Sequence, residues 1–176
     1  LKDKKLSGPK WKNLLLSALI TVLGIVCFPA NPLVLTGVIE VESYQALFIV
    51  GWVVWALGMV LVMAPIIMFP RRGGVKKGKS FVNTTRLVDT GIYGVVRHPQ
   101  YTGGIFAIFL TTLLWYPHWL FGVLGALGTV VIYLGCVEED QRMMQKFGDD
   151  YVAYMKRVLR MNVALGLLRL IRQKRS

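Results

Sequence analysis

The lysines and arginines of this chain, 21 in all, fall into three blocks separated by long apolar stretches. Five lie from Lys2 to Lys12, seven from Arg71 to Arg97 and nine from Arg142 to Arg175. A chain with this alternation has few folds open to it. Basic connections stay on the cytoplasmic side of a membrane, so three basic blocks on one side require an even number of crossings and two cytoplasmic termini. The hydrophobic share of 55% exceeds that of an ordinary soluble domain. The expected fold is therefore an all-α integral membrane protein with about four transmembrane helices, followed by C-terminal cytoplasmic or interfacial helices. The bilayer is its first partner. The net charge of +12 calls for no nucleic acid, because a basic cytoplasmic face against an anionic leaflet accounts for it. The sequence does not set an oligomeric state.

Crossings are expected at about 13–30, 44–69, 101–116 and 119–137; against the roughly 20 residues that a hydrocarbon core of about 30 Å requires, the third is short, so its cytoplasmic end is expected below the headgroups, opening a cavity toward the cytosol. The last two form a hairpin broken at Pro117 and His118, where His118 reads as a plain interfacial side chain. Beyond Val137 polarity switches abruptly while helical spacing continues to Phe147, where Gly148 suits a C-cap. Tyr151 and Tyr154, three apart, share one face of a short following helix. The tail from Met161 to Arg172 reads as an amphipathic interfacial helix. Cys27 and Cys136 both sit in apolar runs without metal or redox spacing, so they read as small buried hydrophobes.

The chemistry is expected between Gly91 and Gly104, Gly-Ile-Tyr-Gly-Val-Val-Arg-His-Pro-Gln-Tyr-Thr-Gly-Gly. Ionisable groups at the mouth of a membrane span are costly unless something uses them. Pro99 suits the first turn of a helix, whose free N–H groups would face an anion beside Arg97 and His98. Since neighbouring spans of a hairpin are antiparallel, Tyr93, Arg97, His98 and Tyr101 should meet the acidic run Glu138-Glu139-Asp140 on the cytoplasmic side. Such a pair of clusters suits a zwitterionic ligand. It equally suits an interfacial salt-bridge cluster of Arg97 with the glutamates.

These motifs, followed by a helical hairpin, Glu-Glu and Phe-Gly-Asp-Asp-Tyr-Val-Ala-Tyr, resemble the isoprenylcysteine carboxyl methyltransferase and phospholipid methyltransferase superfamily of integral membrane enzymes. The likeness covers roughly Thr85 to Arg160. It implies three regions: membrane helices and a basic connection in 1–84, a cofactor-binding hairpin and cytoplasmic helix in 85–160, and a basic amphipathic tail in 161–176. It further implies a cytoplasm-facing S-adenosylmethionine site without a Rossmann domain. Cofactor contacts would fall on Thr85, Arg86, Leu87, Val88, Tyr93, His98, Pro99, Gln100 and Tyr101, and on Glu139 or, second, Glu138. Arg97, His98 and Arg160 would serve the reaction or its acceptor. No metal is implied.

The chain also departs from the carboxyl methyltransferases. Their basic residue shortly before the acidic run is missing from the uncharged stretch Ile132–Val137, and Leu159 stands where Pro is usual. The resemblance thus implies an integral membrane S-adenosylmethionine-dependent methyltransferase acting on a lipophilic acceptor, a phospholipid amine, a prenylcysteine or a thiol, of which the amine and the thiol need no such base. Two other readings stay open: an NADPH-dependent membrane sterol or steroid reductase, whose Arg-His-Pro-Asn-Tyr-x-Gly pattern followed by an acid is similar except that Gln100 replaces the Asn and Gly104 the acid, and a non-enzymatic membrane scaffold.

Overall fold

The computed structural model describes residues 19, 21–24, 28, 31–74 and 85–173. Most of the expected first crossing, and much of the basic connection after Gly74, lie outside these residues. The described part is helical, with no strand and one isolated parallel bridge between Val96 and Leu159.

After the helical residues 19 and 21–24 comes a single turn, α1 (Pro32–Leu35), capped by the Asn31 side chain, which accepts from Leu33 N at 2.9 Å. Next comes α2 (Gln45–Arg72), apolar on every side, so no face is marked for water. Phe48, Ile49, Trp52, Val53, Leu57 and Val60 all stand exposed. Such a surface is at home in lipid rather than in water. After the polar connection, α3 (Pro99–Gly104), a π-helical segment (Ile105–Leu110) and α4 (Thr111–Trp115) follow without a break as one rod. All three segments pack on α2. The wide π turn displaces one residue from the usual ladder, and Thr111 Oγ1 donates to the Phe106 carbonyl at 2.8 Å.

The long helix α5 (Trp119–Phe147) begins where His118 accepts from Leu120 N through Nδ1 at 3.3 Å, so this histidine acts as a helix cap. Gly148 ends α5 with a φ of 58°, which an L side chain rarely adopts. Then α6 (Asp149–Arg157) and α7 (Val163–Gln173) complete the described chain. Among the described residues two helices are long and apolar enough to cross a bilayer, Gln45–Met68 and Trp119–Phe147.

Close approach through glycine sets the helix spacing. A Cβ on Gly58 would lie 2.7 Å from Ala107 N and 2.8 Å from Gly103 O, and one on Gly103 would lie 2.6 Å from Gly58 O. Small residues of this kind bring membrane helices together where no hydrophobic force does so. Gly128 makes the same allowance for an aromatic ring, since its Cβ would stand 2.3 Å from Phe109 Cζ. Phe109 thereby enters the buried cluster of Leu23, Ile132 and Cys136. Gly128→Leu should therefore overpack this junction and cost about 1–3 kcal/mol. Differential scanning of the detergent-solubilised protein checks this, and an unchanged midpoint would refute the packing.

Candidate functional site

The buried stripe of α5 runs Phe121, Gly125, Gly128, Ile132, Cys136 and then Asp140. The steps of three and four keep one helix face inward, so the stripe carries a carboxylate into the interior just where the apolar run ends. Asp140 is 1% exposed. Burial without partners would be prohibitive for such a group, and four donors meet it. His98 Nε2 lies 2.8 Å from Oδ1, and the Tyr151 hydroxyl donates to the same oxygen at 2.7 Å. Arg160 Nε donates to Oδ2 at 2.8 Å, and Arg97 Nη2 stands 3.4 Å from it. A carboxylate only accepts, so this arrangement puts the His98 hydrogen on Nε2.

The four donors come from three places in the chain. Arg97 and His98 leave the short 3₁₀ turn Gly91–Gly94 and enter α3 at Pro99. Their backbone is clamped from behind by the stretch after α6: Arg97 N donates to Leu159 O at 2.9 Å and His98 N to Arg160 O at 3.1 Å. Arg160 extends the same clamp sideways, donating to the Tyr133 hydroxyl at 2.6 Å with its guanidinium 4.9 Å from that ring's centroid. From α6, Tyr154 donates to the Tyr93 carbonyl at 2.7 Å while Tyr151 reaches Asp140. Burial pushes the Tyr93, Tyr151 and Tyr154 hydroxyls well above the usual phenol range, and for Tyr151 the neighbouring Asp140 carboxylate adds to the effect. They therefore remain neutral donors.

Against this scaffold lies a cavity of about 360 Å³, with Arg86, Leu87, Val88, Tyr93, Arg97, His98, Pro99, Gln100, Tyr101 and Glu139 in its lining. Arg142, Met143, Phe147, Tyr151 and Tyr154 complete it. Most positions that the resemblance marked for a cofactor or for the reaction thus surround one space. Two cofactor positions, Thr85 and Glu138, and one reaction position, Arg160, do not. Thr85 is exposed and turns away, its hydroxyl donating to the Gly74 carbonyl at 3.2 Å. Glu138 is exposed on the outside of α5. Arg160 is absent from the cavity lining because its guanidinium is spent on Asp140 and Tyr133.

Of the acidic run, then, Glu139 faces the cavity and Asp140 sits beneath it as the common partner of the basic groups. The interfacial pairing of Arg97 with the glutamates is replaced by a buried pairing with the aspartate. Glu139 itself pairs with Arg142, one helical turn on. Sequence reasoning passed over Met143 and Phe147, although both follow Glu139 at intervals of four and so line the same face. Two groups in this setting stand out: Arg97 Nε and Nη1 are buried and have no hydrogen-bond partner. Buried donors of this kind are rare in native proteins, and here they belong to a side chain that lines a cavity.

Comparison with known proteins bears on the chemistry. Residues 46–150 match the model of the family described as phospholipid methyltransferase, which covers more than half of the chain. The chain is 29% identical over 117 residues to the methanethiol S-methyltransferase of Pseudomonas deceptionensis, an alignment covering 64% of this chain and 42% of that protein. It is 36% identical over 67 residues to methanethiol S-methyltransferase 1 of Bradyrhizobium diazoefficiens, covering 38% of this chain and 22% of that one. The chain thus spans less than half the length of these curated relatives. No solved structure matches it significantly. Taken with the helical hairpin and its motifs, the family match places the chain plainly: it belongs to the phospholipid methyltransferase family.

Proposed function

We propose that this protein is an integral membrane methyltransferase that takes its methyl group from S-adenosylmethionine and passes it to a lipophilic acceptor of thiol or amine type. The observation that carries the reading is the pair of unpartnered, buried Arg97 donors at a cavity that also presents the Glu139 carboxylate. An amino-acid zwitterion needs one anion-binding and one cation-binding group, and this cavity offers both. Arg97 would hold the carboxylate and Glu139 the ammonium, with Arg142 exchanging a pairing inside the protein for solvent. Tyr93, Tyr101, Leu87 and Val88 supply flat and apolar lining for a purine. When bound, the cofactor supplies an electrophilic methyl on a sulfonium, and no covalent protein nucleophile is required.

What the chain contributes is position and the exclusion of water. Bringing two reactants into line supplies a large part of the rate in such a displacement. Asp140 and the Leu159–Arg160 clamp hold Arg97 and His98 from the side away from the cavity. His98 Nε2 is committed to Asp140, which supports a role in positioning over one in removing the acceptor's proton. The uncharged stretch Ile132–Val137 favours an acceptor without a carboxylate. A thiol is further supported by both relatives being named methanethiol S-methyltransferases.

Four crossings with both termini and the cavity on the cytoplasmic side remain our topology. Its support is the three basic blocks and two span-length helices. A reporter placed between Val34 and Ser43 should then be labelled from outside the cell, and labelling from the cytoplasm would reverse it. The activity is tested by incubating the protein in nanodiscs with methyl-tritiated S-adenosylmethionine and lipophilic thiols, amine-headed lipids and prenylcysteine in turn. Transfer to a thiol or amine is expected. Transfer to the prenylcysteine carboxylate alone would overturn the acceptor class, and NADPH-dependent reduction would replace the function.

A further inference from the structure

The C-terminal helix carries the second inference. Its inward side meets the protein through Gly166, which is buried, and Leu170, which is half-buried. A Cβ on Gly166 would stand 2.0 Å from the Val95 carbonyl oxygen, so helix and loop are in backbone contact, and Leu170 lies against Gly94. This is the loop that bears Tyr93, Arg97 and His98. On the outer side Leu167, Leu168 and Ile171 form an exposed apolar strip, beside which Arg169 and Arg172 are also exposed.

Where the helix begins fixes its depth. Just before it, Met161 Sδ lies 3.9 Å from Cys136 Sγ, and the Arg160 guanidinium stacks on Tyr133. Tyr133 and Cys136 belong to the apolar run of α5 that ends at Val137. The chain thus enters α7 level with the last turn of apolar side chains, at the boundary of acyl chains and headgroups. An exposed leucine strip at that depth meets lipid, and two arginines beside it suit negative headgroup charge, which attracts bases held near the surface.

We propose that α7 is a brace lying in the surface of an acidic bilayer: Leu167, Leu168 and Ile171 enter the acyl boundary, Arg169 and Arg172 sit on anionic headgroups, and Gly166 transmits this seat to the loop bearing Arg97 and His98. The seat goes beyond the methyltransferase reading and does not depend on it, because it is read without cofactor or acceptor.

The test places a spin label at Leu167→Cys, Leu168→Cys, Arg169→Cys and Ile171→Cys, singly, in a Cys27→Ser, Cys136→Ala background of the full chain. Collision rates with oxygen, which prefers lipid, and with a water-soluble nickel chelate are compared in nanodiscs containing phosphatidylglycerol. The oxygen-to-nickel ratio should be several-fold higher at 167, 168 and 171 than at 169. Combined Arg169→Gln and Arg172→Gln, read at Leu168→Cys, should lower the ratio in acidic nanodiscs and leave it unchanged in pure phosphatidylcholine. High nickel access at all four positions would overturn the proposal by placing the helix in water. Dipolar broadening between labels would also overturn it, by showing a second copy on this face. All labelled positions are exposed in the folded chain, and because Cys136 is buried against Met161 the cysteine-free background is first shown to keep the parent protein's thermal midpoint.

Discussion

Asp140→Ala is expected to be the most damaging single substitution in the described chain, lowering stability by about 3–5 kcal/mol, because it leaves buried cations without their counter-charge. The reason lies in the count of partners. Arg97 and His98 from one loop, Arg160 from the stretch after α6 and Tyr151 from α6 itself converge on this one carboxylate. With alanine in place, Arg97 would be buried beside no anion at all, having already two N–H groups without a partner. The turn before α3 and the clamp after α6 would lose their shared anchor, so the cavity should open and ligand affinity should fall with the midpoint. Asp140→Asn keeps the shape and two lone pairs, but turns an amide donor toward groups that are themselves donors. It should fall between the two. Thermal scanning of the three proteins checks the order, and an alanine variant as stable as the wild type would remove Asp140 from the centre of the account.

Arg97→Gln should separate stability from binding. Removing an arginine whose guanidinium is only partly satisfied costs little in the free protein, since the desolvation of two orphaned donors is relieved along with the loss of the 3.4 Å pairing to Asp140. Its value appears only when an anion is bound. A hydrogen bond to a charged group contributes about 1.5–3 kcal/mol, so affinity for S-adenosylhomocysteine should fall roughly tenfold to a hundredfold. The decarboxylated analogue supplies the control. It should bind wild type and variant equally, because the group that Arg97 serves is missing from it. Equal losses with both ligands would show that the substitution had disturbed the cavity as a whole.

Much of this architecture was legible in the residues, and the parts that were not share a cause. Local chemistry marked its own boundaries: Pro99 opens α3, Pro117 and His118 turn the hairpin, Gly148 closes α5, and the spacing of Tyr151 and Tyr154 predicts a common face that both in fact bury. The choice among three consecutive acids was harder, because adjacent positions on a helix point about 100° apart and only phase decides between them. That phase was present in Gly125, Gly128, Ile132 and Cys136, and continuing it by four reaches Asp140. Following it would have found the hub. Glu139, one step round the helix, is thereby turned to the cavity, and Glu138 to the outside.

Arg160 and Thr85 illustrate what a single sequence withholds. Each lies in a short segment without periodicity, and its direction is set by contacts remote in the chain: Leu159 and Arg160 carbonyls on the loop after Val96, and Gly74 on Thr85. No local pattern encodes such a pairing. Topology is a third case. The basic blocks argue for four crossings, whereas the described residues contain two helices of full span length and a rod, Pro99–Trp115, that is shorter than either. On the proposed four-crossing topology, so short a rod would leave its polar end, and the cavity with it, below the level at which a full-length span would emerge.

The central claim is that the cavity beside Arg97 and Glu139 receives S-adenosylmethionine. Calorimetric titration of the purified protein in nanodiscs, with S-adenosylmethionine, its demethylated product and NADPH in parallel, tests it without knowledge of the acceptor. The account predicts that the first two bind at one site per chain, that NADPH does not, and that Arg97→Gln weakens both. Binding of NADPH alone, or of none of the three by protein shown to be folded, would contradict it.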